Sequence, residues 1–362
     1  MKVLMLNYEY PPIGGGAANA NRYVLRELSK KGVEVDLVTS STACYSEERP
    51  FDNVRIFRVD VDKDELHQWK QIELVKYTLR GLYKSLSLKK KNDYDIIHAW
   101  SGVPCGFMAK LLRQKYIVAL RGSDVPGYSS RFSLQYRFLK PLIKSVWSSS
   151  EQAIPNSKGL KQLAKETADL SMRVVPNGVD IDQFSPGTAQ EGGLKVLTVA
   201  RLVERKRVQD AIKALEGLEA ELIVVGEGPE RDRLETLAEN IDVREKAEFK
   251  GYVDHSDIDE IYASADVFLL PSMNEGMSNT VLEAMASGLP IIVTDTGGTE
   301  ELIDGNGFLI DKKSPKDITD AIESYIENQD IMERHSRASR SIAEEMSWGK
   351  VADRYLDIYK NI

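Results

Sequence analysis

Two carboxylates, Glu275 and Glu283, flank seven residues that begin Gly276-Met277-Ser278-Asn279-Thr280, a stretch able to bind both phosphate and hydroxyls. The apolar run before it, Asp266-Val267-Phe268-Leu269-Leu270-Pro271, reads as a buried parallel strand. Ser278, Asn279 and Thr280 are helix-capping types ahead of an apolar periodic segment, so a helix is predicted from about Asn279. The first backbone N–H groups of such a helix lack partners within it and attract phosphate. Glu283, a turn or two further on, can accept hydroxyls of the same ligand. Taken singly, Ser278 would cap a core helix and both acids would be solvated. Together they suit a sugar nucleotide.

Arg201-Leu202-Val203-Glu204-Arg205-Lys206-Arg207 places four cations in seven residues after the strand Val196 to Ala200. A guanidinium fork and an ammonium point charge grip a pyrophosphate by different geometries, which suits Arg201 and Lys206, whereas Arg205 and Arg207 read as a solvated helix start. A third feature is Gly14-Gly15-Gly16, reached from the first strand through Asn7-Tyr8-Glu9-Tyr10-Pro11-Pro12-Ile13. Glycines let backbone approach a ligand closely. The spacing departs from G-x-G-x-x-G, because Asn19 stands at the last glycine position, and no ribose-binding acid follows the next strand. Both points argue against a nicotinamide dehydrogenase.

These segments need a scaffold, and 362 residues exceed the usual size of a single core. Short β-rich runs alternate with amphipathic stretches: Val3 to Asn7, Val33 to Thr39, Val54 to Val59, Asp95 to His98, Tyr116 to Leu120, Gln152 to Pro155 and Arg173 to Pro176, then Leu194 to Ala200, Glu221 to Gly226, Ala247 to Gly251, Asp266 to Leu270, Ile291 to Thr294 and Gly307 to Ile310. That order predicts two doubly wound α/β domains with parallel sheets. The turn-rich stretch from Pro176-Asn177-Gly178 through Pro186-Gly187 to Gly192-Gly193 is the expected boundary. Residues 1–178 carry 28 Lys+Arg against 18 Asp+Glu, a surplus of +10; residues 179–362 carry 20 against 38, or −18. The first half suits an anionic ligand or surface, and the net −8 makes nucleic acid a poor partner. Cys44 and Cys105 show neither metal-ligand spacing nor a disulfide framework, which fits a reducing cytosol. Lys2 to Asn7 is too short for a secretory signal, and no apolar run approaches a membrane span.

Glu275, seven residues, Glu283, then Gly288-Leu289-Pro290 ahead of the strand Ile291 to Thr294: this pattern resembles the signature of retaining glycosyltransferases of family 4 (glycosyl transferases group 1), which have the GT-B fold. The resemblance continues through Arg201-Leu202 with Lys206, Val175-Pro176-Asn177-Gly178-Val179-Asp180 with Phe184, Val225-Gly226-Glu227-Gly228-Pro229, Lys250-Gly251-Tyr252-Val253 and Ala265-Asp266-Val267-Phe268, in the family's order over nearly the whole second domain. It implies an α/β GT-B architecture of two Rossmann-like domains whose parallel sheets face across a cleft. Residues 1–178 plus 347–362 would form the acceptor domain with a returning terminal helix, and 179–346 the nucleotide-sugar domain. By the same resemblance Arg201 and Lys206 clamp the leaving diphosphate, Glu275 faces the transferred sugar and Glu283 holds the ribose. Gly276, Met277, Ser278, Asn279 and Thr280 meet the diphosphate, Gly15 and Gly16 lie over it, and the base sits near Tyr252 and Val253. One position departs: Arg121-Gly122-Ser123-Asp124 has Arg121 where many relatives have a His that contacts sugar and phosphate. Arg121 offers phosphate a permanent charge but cannot exchange a proton near neutral pH. His98, at another strand end, is a secondary candidate.

The resemblance implies a retaining, metal-independent transfer from a nucleoside-diphosphate sugar, UDP-sugar ahead of GDP-mannose, to a hydroxyl of a glycan, a lipid-linked molecule or a small molecule. The donor is a substrate, so no cofactor and no metal are expected; Asp60-Val61-Asp62 is only superficially like a metal-binding Asp-x-Asp. A sugar-nucleotide epimerase or hydrolase on the same scaffold, and a non-catalytic sugar-nucleotide-binding protein, are the alternatives. Arg131 to Trp147 has four cations, no acid and many apolar side chains. It reads either as a core helix with a basic outer face, kinked near Pro141, or as a surface resting on anionic lipid. The second reading would make a cytoplasmic protein peripheral at the inner membrane face.

Overall fold

A computed structural model describes every residue except 64, 67, 68, 129–132, 188–192 and 297, and leaves aside the side chains of 133–135 and 137. Arg131 and Phe132, and Gly192 of the expected boundary, therefore lie outside the described residues. The chain forms two compact units, Met1–Asn177 with Trp348–Ile362, and Gly178–Ser347.

The first unit is built on seven strands, β1 (Lys2–Leu6), β2 (Glu34–Ser41), β3 (Ser46–Phe51), β4 (Val54–Asp60), β5 (Ile96–Ala99), β6 (Tyr116–Leu120) and β7 (Gln152–Pro155), in the order β3-β4-β2-β1-β5-β6-β7. Its helices are α1 (Gly16–Lys30), α2 (Gln71–Lys89), α3 (Phe107–Leu111), α4 (Ser133–Ser148) and α5 (Lys158–Lys165), joined by the terminal helix α12 (Trp348–Lys360). Central β1 pairs in parallel with β2 and β5, setting Met5 opposite Leu37 and His98. Its side chains alternate between faces: Leu4 and Leu6 join the core under α2 to α5, and Val3 and Met5 the core under α1 and α12. Both faces are covered, which is why the inner strand β6, Tyr116-Ile117-Val118-Ala119-Leu120, reads as an unbroken apolar run.

One strand was not foreseen and one strand expectation fails. β3 is an antiparallel edge strand on β4 that the charged, proline-bearing Ser46-Glu47-Glu48-Arg49-Pro50-Phe51 conceals; charge and proline are how edge strands resist further pairing. Arg173 to Pro176 forms no strand: Val175 N bonds Pro155 O at 3.1 Å, and Pro176 has no N–H with which to extend a ladder.

The second unit has an all-parallel sheet of β8 (Leu194–Val199), β9 (Ala220–Val225), β10 (Ala247–Gly251), β11 (Val267–Leu270), β12 (Ile291–Thr294) and β13 (Gly307–Ile310), in the order β10-β9-β8-β11-β12-β13. Helices α6 (Val208–Ala214), α7 (Arg231–Asn240) and α10 (Pro315–Glu327) supply one core; α8 (Ile258–Ala263), α9 (Asn279–Ala286) and α11 (Gln329–Glu344) line the other. The sheet order turns between β8 and β11, and the loops leaving the carboxyl ends of these two strands carry the clustered charges, where ligands of open parallel sheets bind.

Candidate active site

The loop after β8 is held by backbone before any side chain acts. Ala200 N bonds Val225 O at 3.0 Å and Leu202 N bonds Glu227 O at 2.9 Å. Gly226, at φ +130°, leaves room for this approach, since a Cβ there would stand 2.0 Å from Ala200 O. The same loop is tied to the one after β11: Met273 N bonds Arg205 O at 2.8 Å, and Arg205 Nη1 donates to Asn274 O at 3.3 Å. Lys206 Nζ is thereby brought onto Glu275 Oε1, with the two side chains only 11% and 10% exposed. Arg201 is exposed and, among the described residues, has no ion-pair partner. Arg207 is not a solvated helix start: it grips the buried Asp210 by two bonds of 2.8 and 2.7 Å at the opening of α6.

Helix α9 begins at Asn279, as the capping pattern predicts. Ser278 precedes it in extended backbone and its hydroxyl makes no cap; it pairs instead with the Thr280 hydroxyl at 3.1 Å. Gly276 and Met277 form the turn, and Gly298 packs so closely on Gly276 O that a Cβ there would lie 2.4 Å away. Glu283 is buried on α9 with both oxygens engaged, Oε1 with His255 Nε2 at 3.1 Å and Oε2 accepting from Tyr262 OH at 2.9 Å. Burial, with Glu283 beside it, raises the Tyr262 phenol well above its ordinary pKa, so this group donates. A carboxylate accepts about four hydrogen bonds, so Glu283 retains capacity for a ligand hydroxyl. His255, which sequence reasoning did not single out, is placed by Gln183 Nε2 on its carbonyl (2.8 Å) and by the edge of Phe184. Its one available signal was its position just after the Gly251-Tyr252-Val253 turn, where Tyr252 is exposed and Val253 half-buried.

In the first unit, Gly14 has φ +103° and folds the glycine turn onto Glu9, whose Oε2 lies 3.0 Å from where a Gly14 Cβ would be. Nothing lies within 4 Å of the corresponding point on Gly15, and α1 opens at Gly16 without a side-chain cap. Burial raises the Glu9 carboxyl to about 7, against the opposing pull of Trp69 and Lys63. Sequence reasoning passed over Glu9. Arg121 lies over the Trp100 ring at 4.7 Å and donates from Nη2 to Asn177 Oδ1 at 2.6 Å. Burial lowers its pKa, with Tyr355 and Asp124 opposing. Asp124 shapes this turn by accepting from the backbone N–H groups of Arg121, Gly122 and Gly102 at 2.9 to 3.0 Å.

The structure places His98, the secondary candidate, in the core. It has no exposed surface, its Nδ1 meets Tyr359 OH at 2.6 Å, and Tyr355 and Trp100 pack on the ring. Burial, with Arg121 nearby, pushes its pKa down to about 3. In the described part of Arg131 to Trp147, Ile143, Val146 and Trp147 of α4 are buried in the core, with Leu139 and Leu142 packed against it, while Phe138 is 77% exposed. Among the described residues no helix is long and apolar enough to cross a membrane, and no group of three or more His, Cys, Asp or Glu is placed to hold a metal.

The sequence pattern of Glycosyltransferase Family 4 matches residues 14–183 and that of Glycosyl transferases group 1 matches residues 180–342. Over its full length the chain is similar to the uncharacterized glycosyltransferase MJ1607 of Methanocaldococcus jannaschii, at 27% identity over 99% of this chain and 98% of that protein. Two solved structures share its fold. Sucrose-phosphate synthase from Thermosynechococcus elongatus aligns with a TM-score of 0.84 at 19% identity, covering 100% of this chain and 98% of its own. Anabaena Alr3699/HepE in complex with UDP-glucose aligns with a TM-score of 0.76 at 19% identity, covering 100% of both chains. With the two family patterns running consecutively from residue 14 to residue 342 over the two sheets described, the chain belongs to the GT-B glycosyltransferases of group 1, family 4.

Proposed function

We propose that this glycosyltransferase moves a sugar from a nucleoside-diphosphate sugar, UDP-sugar ahead of GDP-mannose, to a hydroxyl of a glycan, lipid-linked or small-molecule acceptor, with retention and without a metal. The observation that carries the reading is the Lys206–Glu275 pair standing before the start of α9, with Glu283 held ready on the same helix by His255 and Tyr262. Phosphate suits Lys206 as well as a carboxylate does, so a diphosphate can take the ammonium and free Glu275 for the sugar. The UDP-glucose complex of Anabaena Alr3699/HepE supports this donor class.

Departure of the diphosphate leaves positive charge on the anomeric carbon and negative charge on the phosphate oxygen, as in other glycosyl transfers. Arg201, Lys206 and the backbone N–H groups of Gly276 to Thr280 would take up the negative charge from fixed positions, the form of stabilisation that contributes most to such reactions. Gly15, Gly16 and Arg121 are the further residues assigned to the donor phosphates, and Tyr252 and Val253 to the base. The acceptor hydroxyl forms its bond to the anomeric carbon on the face the diphosphate leaves. The departing oxygen keeps the bonding pair and receives the hydroxyl proton. No protein nucleophile is assigned, and Glu275 orients the sugar.

A thermal-shift panel of UDP, GDP, ADP and their sugars tests the donor, because a ligand at a hundred times its Kd stabilises by about 2.7 kcal/mol. UDP and UDP-sugars are expected to raise Tm; silence across the panel would overturn the reading. Anomeric configuration of the product by NMR tests retention, and unchanged turnover in EDTA tests metal independence. Free or epimerised sugar as the only product would select the hydrolase or epimerase alternative. Donor binding without any turnover would select the non-catalytic one.

A further inference from the structure

Helix α2 buries Glu73, Tyr77, Gly81, Ser85 and Leu88 on its inner face. Its outer face is also apolar. Ile72, Val75, Leu79, Tyr83 and Leu86 recur at intervals of three and four residues, which aligns them along one side of a helix. They are 57, 52, 66, 78 and 42% exposed. At 1.5 Å per residue the strip is about 21 Å long. Tyr45, itself exposed, is joined to the helix by Lys84 Nζ on its hydroxyl at 2.7 Å. Isolated exposed apolar residues need no explanation, but a continuous ridge marks a docking surface.

Charge selects the occupant. From Gln71 to Lys91 the chain has six cations, Lys76, Arg80, Lys84, Lys89, Lys90 and Lys91, and one acid, Glu73, which is buried and paired with Lys63 at 3.1 Å. Asp62 reaches Lys76 and Asp60 reaches Arg80, and Lys89 donates to Leu112 O; Asp93 follows the helix. Lys90 and Lys91 follow the ridge at the end of the helix without an acidic partner among the described residues, whereas Lys84 is turned to the other flank, over the Tyr45 and Phe57 rings. A convex ridge of Ile, Val, Leu and Tyr flanked by lysines has the makeup of a helix lying in a lipid interface, with phenols at headgroup level and lysine stems spread over apolar surface. We propose that α2 seats the first unit on an anionic membrane surface, its apolar ridge at the headgroup boundary and Lys90 and Lys91 against lipid phosphates.

The full chain would be cosedimented with vesicles of phosphatidylcholine alone and of phosphatidylcholine with phosphatidylglycerol, at low and high salt. Wild type is expected to pellet with the anionic vesicles and to be released by salt. Leu79→Glu with Tyr83→Glu, both on exposed positions, should cut binding at least ~10-fold while leaving Tm unchanged. Lys90→Gln with Lys91→Gln should abolish the preference for anionic lipid. Failure of wild type to pellet, or pelleting of the apolar variant equal to wild type, overturns the proposal. So does a concentration-dependent dimer in ultracentrifugation that Leu79→Glu with Tyr83→Glu disperses, since the ridge would then belong to a second copy of the chain.

Discussion

Among the candidate site groups, Lys206, Glu275 and Glu283 of the second unit have charged or ring-nitrogen partners reached across loops, whereas Arg121 and His98 of the first unit are enclosed among aromatic and neutral polar groups. Lys206 is bonded to Glu275, and Glu283 to His255 and Tyr262. Arg121 has Asn177 and the Trp100 ring, and His98 has Tyr359. An already desolvated ion pair can exchange one anion for another without a new burial cost. An enclosed group without an opposite charge answers burial by shifting its pKa. Substitutions in the second unit should therefore act on donor affinity and transfer, and those in the first on pH behaviour.

The largest effect should follow from removing the cations. Arg201→Ala with Lys206→Ala is expected to lower kcat/KM for the donor about a hundredfold or more, because both charges face the developing diphosphate. Near-normal transfer by this double variant would break the assignment of donor chemistry to the second unit.

A smaller, two-signed effect separates the carboxylates. Glu275 is bonded to Lys206 and competes with a diphosphate for it, so Glu275→Gln should tighten UDP binding roughly fivefold, about 1 kcal/mol, while impairing transfer. Glu283→Gln should weaken UDP about tenfold, since it removes the acceptor that His255 and Tyr262 hold in place. Calorimetry in which both variants lose UDP affinity equally would erase the distinction between a displaced counterion and a ligand-holding group.

Much of the second unit was legible because its signals are local. The run Val267 to Leu270, the capping types at 278–280 and the cations at 201 and 206 each announce an element or a charge within a few residues. His255 escaped because its partner Glu283 lies 28 residues away. Glu9 escaped because its altered acidity depends on burial, which no spacing records. Arg131 to Trp147 was ambiguous in sequence, since an apolar face with interspersed cations describes both a core helix and a lipid-facing one. The ridge of α2 was hidden by the opposite problem: a helix apolar on most sides reads as buried.

Glu9 gives the first unit its pH signature. Its carboxyl is raised from an ordinary 4.5 to about 7, with Lys63 and Trp69 working against the shift. Between those values the folded chain holds a proton that the unfolded chain releases. The stabilising contribution is therefore complete below about pH 4.5 and is lost as pH rises through 7. The Tm advantage of wild type over Glu9→Gln should shrink between pH 5 and pH 8. A constant difference would place Glu9 among ordinary carboxylates and remove the first unit's alkaline sensitivity.

His98 carries the opposite sign and the smallest effect on activity. Its folded pKa is lowered from 6.5 to about 3, so the unfolded chain binds a proton that the folded chain refuses. Stability from this group is present above about pH 6.5 and declines as pH falls toward 3. NMR of the imidazole should show no titration between pH 5 and pH 8. Because the ring is held by Tyr359, Tyr355 and Trp100 and has no exposed surface, His98→Gln should lower Tm through packing while changing transfer per folded molecule by no more than about twofold. A midpoint near 6.5, or a large fall in turnover at unchanged Tm, would return His98 to the chemistry and blur the contrast between the ion-paired Lys206 and Glu275 and the enclosed Arg121 and His98.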